Sequence, residues 1–252
     1  MCLRRFSLEF TEDGQNRPFF ASFPFMAAGV PAAGIACGIS SRFAGDMKYG
    51  GQNRARLALA GGLDLDPSRI YGLEQIHSRT VLVVDRDNPP AVPADGMVCR
   101  DMSIALSVTV ADCLPVYLLD TESGAFGLVH SGWKGTGIAL EALRLMRENW
   151  RTRPQAIAAV LGPCIDSCCY KVDSGRAAVF EKEFGAEGVR KTQDGDCYLD
   201  LKAANIRLLS GAGVRNIAVC NDCTFTDKRL GSFRREGGQS YTRMAALVYH
   251  DG

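Results

Sequence analysis

Three side chains far apart in the sequence, His77, Cys113 and His130, could share one metal ion. Each falls in a segment with the marks of a turn. Gln75-Ile76-His77 precedes a strand-like run, Ala111-Asp112-Cys113 lies between two such runs, and His130-Ser131-Gly132-Trp133-Lys134-Gly135-Thr136 joins a strand to a helix. A rigid sheet holds loop residues at its strand ends in fixed geometry, so the three are expected to converge. Two imidazoles and one thiolate leave tetrahedral zinc an open fourth position for water or substrate, the arrangement of catalytic rather than structural zinc. Copper accepts the same donors. The competing description is a core thiol with two hydrogen-bonded histidines.

The turn after His130 adds a second hint. Gly132, Gly135 and Gly137 let backbone amides approach a ligand at the positive end of the following helix, with Lys134 nearby, so an anion could dock there. A plain strand-to-helix turn is the ordinary alternative, and Trp133 could stack on a base or fill the core. The remaining histidine, His250, stands two residues from the end and is expected to be exposed and uninvolved. Three histidines are too few for a trinuclear copper cluster built from many imidazoles.

The elements that must position these residues alternate. After an irregular N-terminal stretch, strands are expected at 34–41, 80–85, 104–110, 114–119, 125–130, 156–161 and 214–219. Helices are expected at 53–61, ended by Gly61-Gly62, and at 137–151, 174–184 and 201–209. The clearest is 137–151, where Glu141, Arg144, Glu148 and Arg151 recur at three- and four-residue spacing opposite Ile138, Ala142, Leu145 and Met146. Nothing repeats, and no linker divides the chain, so residues 1–252 are expected to form a single layered α/β domain with a central mixed β-sheet flanked by helices.

Composition narrows the partners. With 29 Lys plus Arg against 28 Asp plus Glu, no net field favours nucleic acid. A small molecule is the expected partner, bound by a monomer or small homo-oligomer. Glu9 and Glu12 interrupt the N-terminus before any apolar run, and Asp112 and Pro115 break the window 103–119, so neither a secretion signal nor a membrane span is expected. A cytoplasmic location follows as the expectation, with the ten cysteines reduced. Cys220 and Cys223 have half a knuckle's spacing without a second pair, while adjacent Cys168 and Cys169 cannot easily point to one ion; these and Cys164 are expected to be buried thiols.

At these residues the chain resembles the purine nucleoside phosphorylases of the laccase-domain type, YfiH-like proteins formerly described as multicopper polyphenol oxidases. The matching stretches are QIHS at 75–78, ADG at 94–96, ADCLPV at 111–116, HSGWKGT at 130–136, LGPCI and CCYKV within 161–172, DLKAANIRLL at 200–209, and the CTF and FRREG segments within 223–237. The match runs in order from about Ser40 onward. The resemblance implies that His77, Cys113 and His130 bind one zinc ion. It further implies phosphorolysis of adenosine, inosine, guanosine and methylthioadenosine, deamination of adenosine, and a layered α/β fold with a mixed sheet. Departures lie at Ser41 to Gly50, shorter than the family's loop, at Tyr241-Thr242-Arg243-Met244 for TGRM, and at Lys134, where arginine is frequent.

The expected mechanism has Arg42 and Arg235, with Lys134, holding phosphate, because a guanidinium fork matches phosphate oxygens in parallel hydrogen bonds. Asp112 is the first acid/base candidate and Asp95 the second; the alternative for Asp112 is a hydrogen bond that orients a ligand. Rival functions are a copper-dependent polyphenol oxidase, a metal-free hydrolase in which His130 activates the Cys113 thiolate, and a binding module without turnover.

Overall fold

The computed structural model describes residues 2–27, 29–238 and 240–250. In chain order the first half carries β1 (Cys2–Phe6), β2 (Phe20–Ala27), β3 (Val30–Ser40), α1 (Arg54–Gly62), β4 (Ile70–Tyr71), β5 (Val81–Val83), β6 (Gly96–Cys99), β7 (Ala105–Val110), β8 (Leu114–Asp120) and β9 (Phe126–Ser131). The second half carries α2 (Ile138–Trp150), β10 (Ile157–Leu161), β11 (Lys171–Val172), α3 (Ser174–Phe184), β12 (Val189–Lys191), β13 (Cys197–Leu199), α4 (Leu201–Gly211), β14 (Asn216–Cys220), α5 (Phe233–Glu236) and β15 (Met244–His250). The mixed α/β class is as expected, and every strand and helix named from the sequence is present within a few residues.

The β content is divided over two large sheets and a small one. One sheet has seven strands in the order β1-β14-β10-β8-β9-β6-β5, with parallel and antiparallel pairs; the second has five, β2-β3-β15-β7-β4; β11, β13 and β12 form the third. Strand β8 reads as an unbroken apolar run and is buried throughout, because both faces are covered. Its Tyr117 and Leu119 join a core with Phe23, Phe25 and Ile39 of the second sheet, while Leu114, Val116 and Leu118 pack with Ile138, Met146, Phe180 and Leu209 of the helices. On the outer face of the second sheet, Met47 and Leu59 meet Phe20, Ala245 and Leu247. The layers therefore run helices, sheet, sheet, short helix. Buried Tyr117 ties the two sheets together by donating to the Gly38 carbonyl at 3.0 Å.

The strands β1, β2, β4, β6, β11, β12, β13 and β15 escape the sequence pattern, the three longest of them for separate reasons. The N-terminal residues are not irregular: β1 is an exposed edge strand pairing in parallel with β14, and its Leu3-Arg4-Arg5 has no buried face to signal. In β2, Pro24 obscures a strand whose Ala21, Phe23 and Phe25 alternate inward; it tolerates proline because it is the edge of its sheet. Strand β15 is buried on both sides between β3 and β7, so its Met244 to Tyr249 run shows no period. His250 is exposed at its end, as expected. Among the described residues no helix is long and apolar enough to cross a membrane.

This architecture decides where the site lies. The chain leaves β4 in one sheet and enters β5 in the other, and it makes the same crossing from β7 to β8. His77 sits in the first crossing and Cys113 in the second, while His130 closes β9, paired with Pro115 of β8. All three therefore meet where the two sheets exchange strands.

Candidate metal centre and cleft

The ligand-capable atoms of His77, Cys113 and His130 lie within 4.8 Å of one another, and the two imidazole rings stand edge to face with centroids 4.9 Å apart. Tetrahedral zinc with bonds of about 2.0–2.3 Å fits such a trio after a small inward adjustment of the ligands. Two of the three connecting loops hold unusual backbone. His77 has φ of 59° and Asp112, preceding Cys113, has φ of 91°, a region that a residue with a side chain rarely adopts. Such strain persists only where the surroundings over-determine it, and it gathers at functional sites.

The surrounding contacts that impose this geometry centre on Asp95, which is fully buried. Its carboxylate accepts from the backbone N–H of Ile76 at 3.3 Å, of His77 at 3.0 Å and of Ser78 at 2.6 Å, and from the Ser78 hydroxyl at 2.8 Å. It also meets His130 Nδ1 at 2.9 Å, which fixes that ring and leaves Nε2 as the nitrogen free for an ion. Burial opposes ionisation of Asp95, but the hydrogen bonds from His130 and Ser78 outweigh it and hold the carboxyl down at about 2. Gln75 holds the same loop to the second sheet. Its amide donates to the Thr109 carbonyl at 2.9 Å and accepts from Thr109 N–H at 2.7 Å, extending the pairing of β7 by one side chain.

The turn after β9 must be glycine at 132. A Cβ there would stand 2.8 Å from Cys113 Sγ and 3.6 Å from the His77 ring, in the space next to the trio. Burial raises the Cys113 thiol, yet the charge of His130 and hydrogen bonds from both imidazoles overcome it and bring the thiol down to about 6. The same attraction, with Asp95 behind it, raises His130 against the effect of burial to about 9. In the metal-free chain the pair favours thiolate and imidazolium, the thiolate being the form a metal binds.

A cleft of about 550 Å³ opens over this centre. Besides the trio and Asp112, its walls carry aromatic rings from Trp133, Tyr170, Phe233 and Tyr241 and guanidinium groups from Arg176, Arg234 and Arg243. Arg176 lies over Trp133 at 4.8 Å, Arg234 over Tyr170 at 5.4 Å and Arg243 over Tyr241 at 4.2 Å. Phe233 and Tyr241 pack edge to face, 5.0 Å apart. Arg176 lies in no stretch that the sequence singles out, whereas Arg234 and Arg243 belong to the FRREG and Tyr241 to Met244 segments; that all three line the cleft emerges only from the tertiary fold.

The other residues singled out from the sequence take up varied places. Asp95 does not line the cleft, and both of its oxygens already accept hydrogen bonds from the 76–78 loop and meet His130. Asp112 does line the cleft, but one oxygen accepts from the Thr224 hydroxyl at 2.6 Å and the other from Arg234 N–H at 2.6 Å, so it pins two loops together. Arg235 is turned away from the cleft: its guanidinium donates to the carbonyls of Thr224, Phe225, Asp227 and Leu230 and to Glu236. Arg42 pairs with the same Glu236 at 3.2 Å, and exposed Lys134 lies 5.6 Å over the Trp133 ring; neither lines the cleft. Cys168, Cys169 and Cys223 are not separate buried thiols, since their sulfurs gather within 4.8 Å of one another.

With this geometry in place, comparison with known proteins is decisive. The family model described as multi-copper polyphenol oxidoreductase laccase matches residues 37–251. The chain belongs to that family. It is 33% identical over 243 residues to a purine nucleoside phosphorylase of Corynebacterium glutamicum, an alignment covering 94% of this chain and 96% of the relative. It is 32% identical over 250 residues to the purine nucleoside phosphorylase YlmD of Geobacillus stearothermophilus, covering 86% of this chain and 91% of that one. The crystal structure of YlmD from that organism superposes with a TM-score of 0.80 at 28% identity, covering 96% of this chain and 99% of the other. The matched region contains all three members of the trio and every arginine and aromatic residue of the cleft walls.

Proposed function

We propose that the cleft is the active site of a zinc-dependent purine nucleoside phosphorylase acting on adenosine, inosine, guanosine and methylthioadenosine, with adenosine deamination as a second activity. One observation carries the proposal: an N,N,S trio of ligand-capable side chains opens into the same cleft as four aromatic rings and three guanidinium groups. The relatives named purine nucleoside phosphorylase support it. A cleft of about 550 Å³ is within the range of about 300–1,000 Å³ that small-molecule sites occupy.

His77, Cys113 and His130 Nε2 would hold the ion, which supplies a Lewis-acid position able to activate water for deamination. Phosphate would bind to Arg234 and Arg176, which line the cleft, and the purine would stack among Tyr170, Phe233 and Tyr241. As the bond between sugar C1′ and the base breaks, its electron pair leaves with the base. Positive charge grows on the ribose, and the adjacent phosphate stabilises it and forms the new C1′–O bond. Asp112 keeps Arg234 in place through the backbone N–H of that residue and so acts as a positioning residue.

Copper in the same donor set is the second reading, favoured by the N,N,S chemistry and by the description of the family model. A single experiment separates the two. Metal-analysed protein is incubated with adenosine, with and without phosphate, and the products are resolved. Adenine and ribose phosphate appearing only with phosphate, and inosine without it, support the proposal. Oxygen-dependent turnover of phenols that follows copper content and ignores phosphate supports the oxidase. Activity that survives chelation but is lost on alkylating Cys113 overturns both in favour of a thiol hydrolase. Binding of adenosine without any product leaves a non-catalytic module.

A further inference from the structure

Among the described residues, one other cluster outside the cleft centre brings metal-binding side chains together. Cys168 and Cys169 follow one another in the turn after β10, and Cys223 follows β14, yet the three sulfurs lie within 4.8 Å of one another, with those of Cys168 and Cys169 3.1 Å apart. We propose that these thiols form a second metal site, a three-thiolate pocket for a soft cation, copper(I) before zinc.

The surrounding fold holds the sulfurs where they are. The Cys164 backbone bridges to Cys223, and Thr224 N–H donates to the Cys164 carbonyl at 3.0 Å, so the two segments run side by side. From there the chain turns back on itself. Cys169 and Tyr170 N–H both donate to the Asp166 carbonyl at 2.9 Å, and Asp166 N–H points at Cys223 Sγ at 3.4 Å. Arg190 clamps the turn through two bonds to the Ser167 carbonyl, at 2.9 and 2.8 Å, and places a positive charge beside it. Cys223 is buried and Cys168 exposed, so an ion reaches the sulfurs from solvent.

Chemistry selects the occupant. Three thiolates satisfy copper(I), whereas zinc seeks a fourth ligand, and the carboxylate of neighbouring Asp166 is held by Lys202 at 2.7 Å. A disulfide between Cys168 and Cys169 is disfavoured because neighbouring Cα atoms stand about 3.8 Å apart, closer than the roughly 4.4–6.8 Å that a disulfide spans. On binding, each S–H bond breaks, the proton passes to solvent and the sulfur lone pair forms the S–Cu bond, with no change of oxidation state. Since Ile165 and Tyr170 flank the turn and line the cleft, the ion would also brace one cleft wall.

The test uses the full chain, reduced and metal-free, titrated anaerobically with copper(I) against a coloured copper(I) chelator. Cys113→Ser removes the thiolate of the other centre and isolates this one. That variant is expected to retain one equivalent of copper(I) with thiolate-to-copper charge-transfer absorbance. Adding Cys168→Ser, at an exposed position, should weaken binding at least about tenfold while the circular dichroism spectrum stays unchanged. Two results overturn the proposal: no copper bound by Cys113→Ser, or affinity unchanged by Cys168→Ser. Tighter retention of zinc than of copper(I) in direct competition would overturn the choice of ion.

Discussion

Replacing Asp95 with asparagine isolates the contact network that organises the centre. The wild-type carboxylate is fully buried and accepts from three backbone N–H groups, the Ser78 hydroxyl and His130 Nδ1. Asparagine keeps one oxygen and turns the other into an amide donor that confronts donors. If the new amide takes the place of Oδ1, the His77 N–H and the His130 ring lose their acceptor; if it replaces Oδ2, the Ile76 and Ser78 N–H groups do. Either way at least two buried donors go unsatisfied, at about 1–3 kcal/mol each, so Asp95→Asn should cost roughly 2–6 kcal/mol in urea unfolding. Zinc affinity, measured by competition with a chelator, should fall about 10–100-fold because either His130 or the loop that carries His77 loses its orienting partner.

The pH dependence of metal-free protein gives an independent check. The folded Asp95 carboxyl is held at about 2 against an ordinary value of 3.8. A depressed carboxylate contributes stability that is full above the unfolded value, about 2 kcal/mol here, and is lost as pH falls from about 4 towards 2. Asp95→Asn should therefore flatten that acid limb. A variant within about 0.5 kcal/mol of wild type, with unchanged zinc affinity and acid limb, would refute the assignment of Asp95 as the organiser of the site.

Gly132→Ala should leave the fold intact but cost about 1–3 kcal/mol and lower zinc occupancy, because its Cβ would press on Cys113 Sγ from 2.8 Å; metal analysis of the purified variant decides. Arg235→Met should destabilise the chain by about 3 kcal/mol, since four carbonyls and Glu236 lose their shared donor, while KM for phosphate in the folded fraction stays unchanged. Arg234→Ala should do the reverse, raising KM for phosphate roughly tenfold or more with little loss of stability, as steady-state kinetics at varied phosphate would reveal.

The sequence by itself determined the trio and the elements that carry it. His77, Cys113 and His130 are legible because ligand-capable residues at strand ends form a short menu when a chain holds three histidines, and the apolar runs of β7, β8 and β9 are dense enough to mark their strands. Local pattern could not fix what depends on partners distant in sequence. Asp95 reads from the sequence only as the second acid/base candidate; that the 76–78 backbone and His130 surround it is visible only in the fold. Arg235 and Arg234 are neighbours with the same side chain, yet the turn around α5 buries one among carbonyls and aims the other at the cleft. Cys223 joins Cys168 and Cys169 because β14 and β10 are adjacent in one sheet, a pairing decided by tertiary packing. Periodicity reports which face of an element is buried; which element lies against it is settled only when the whole core closes.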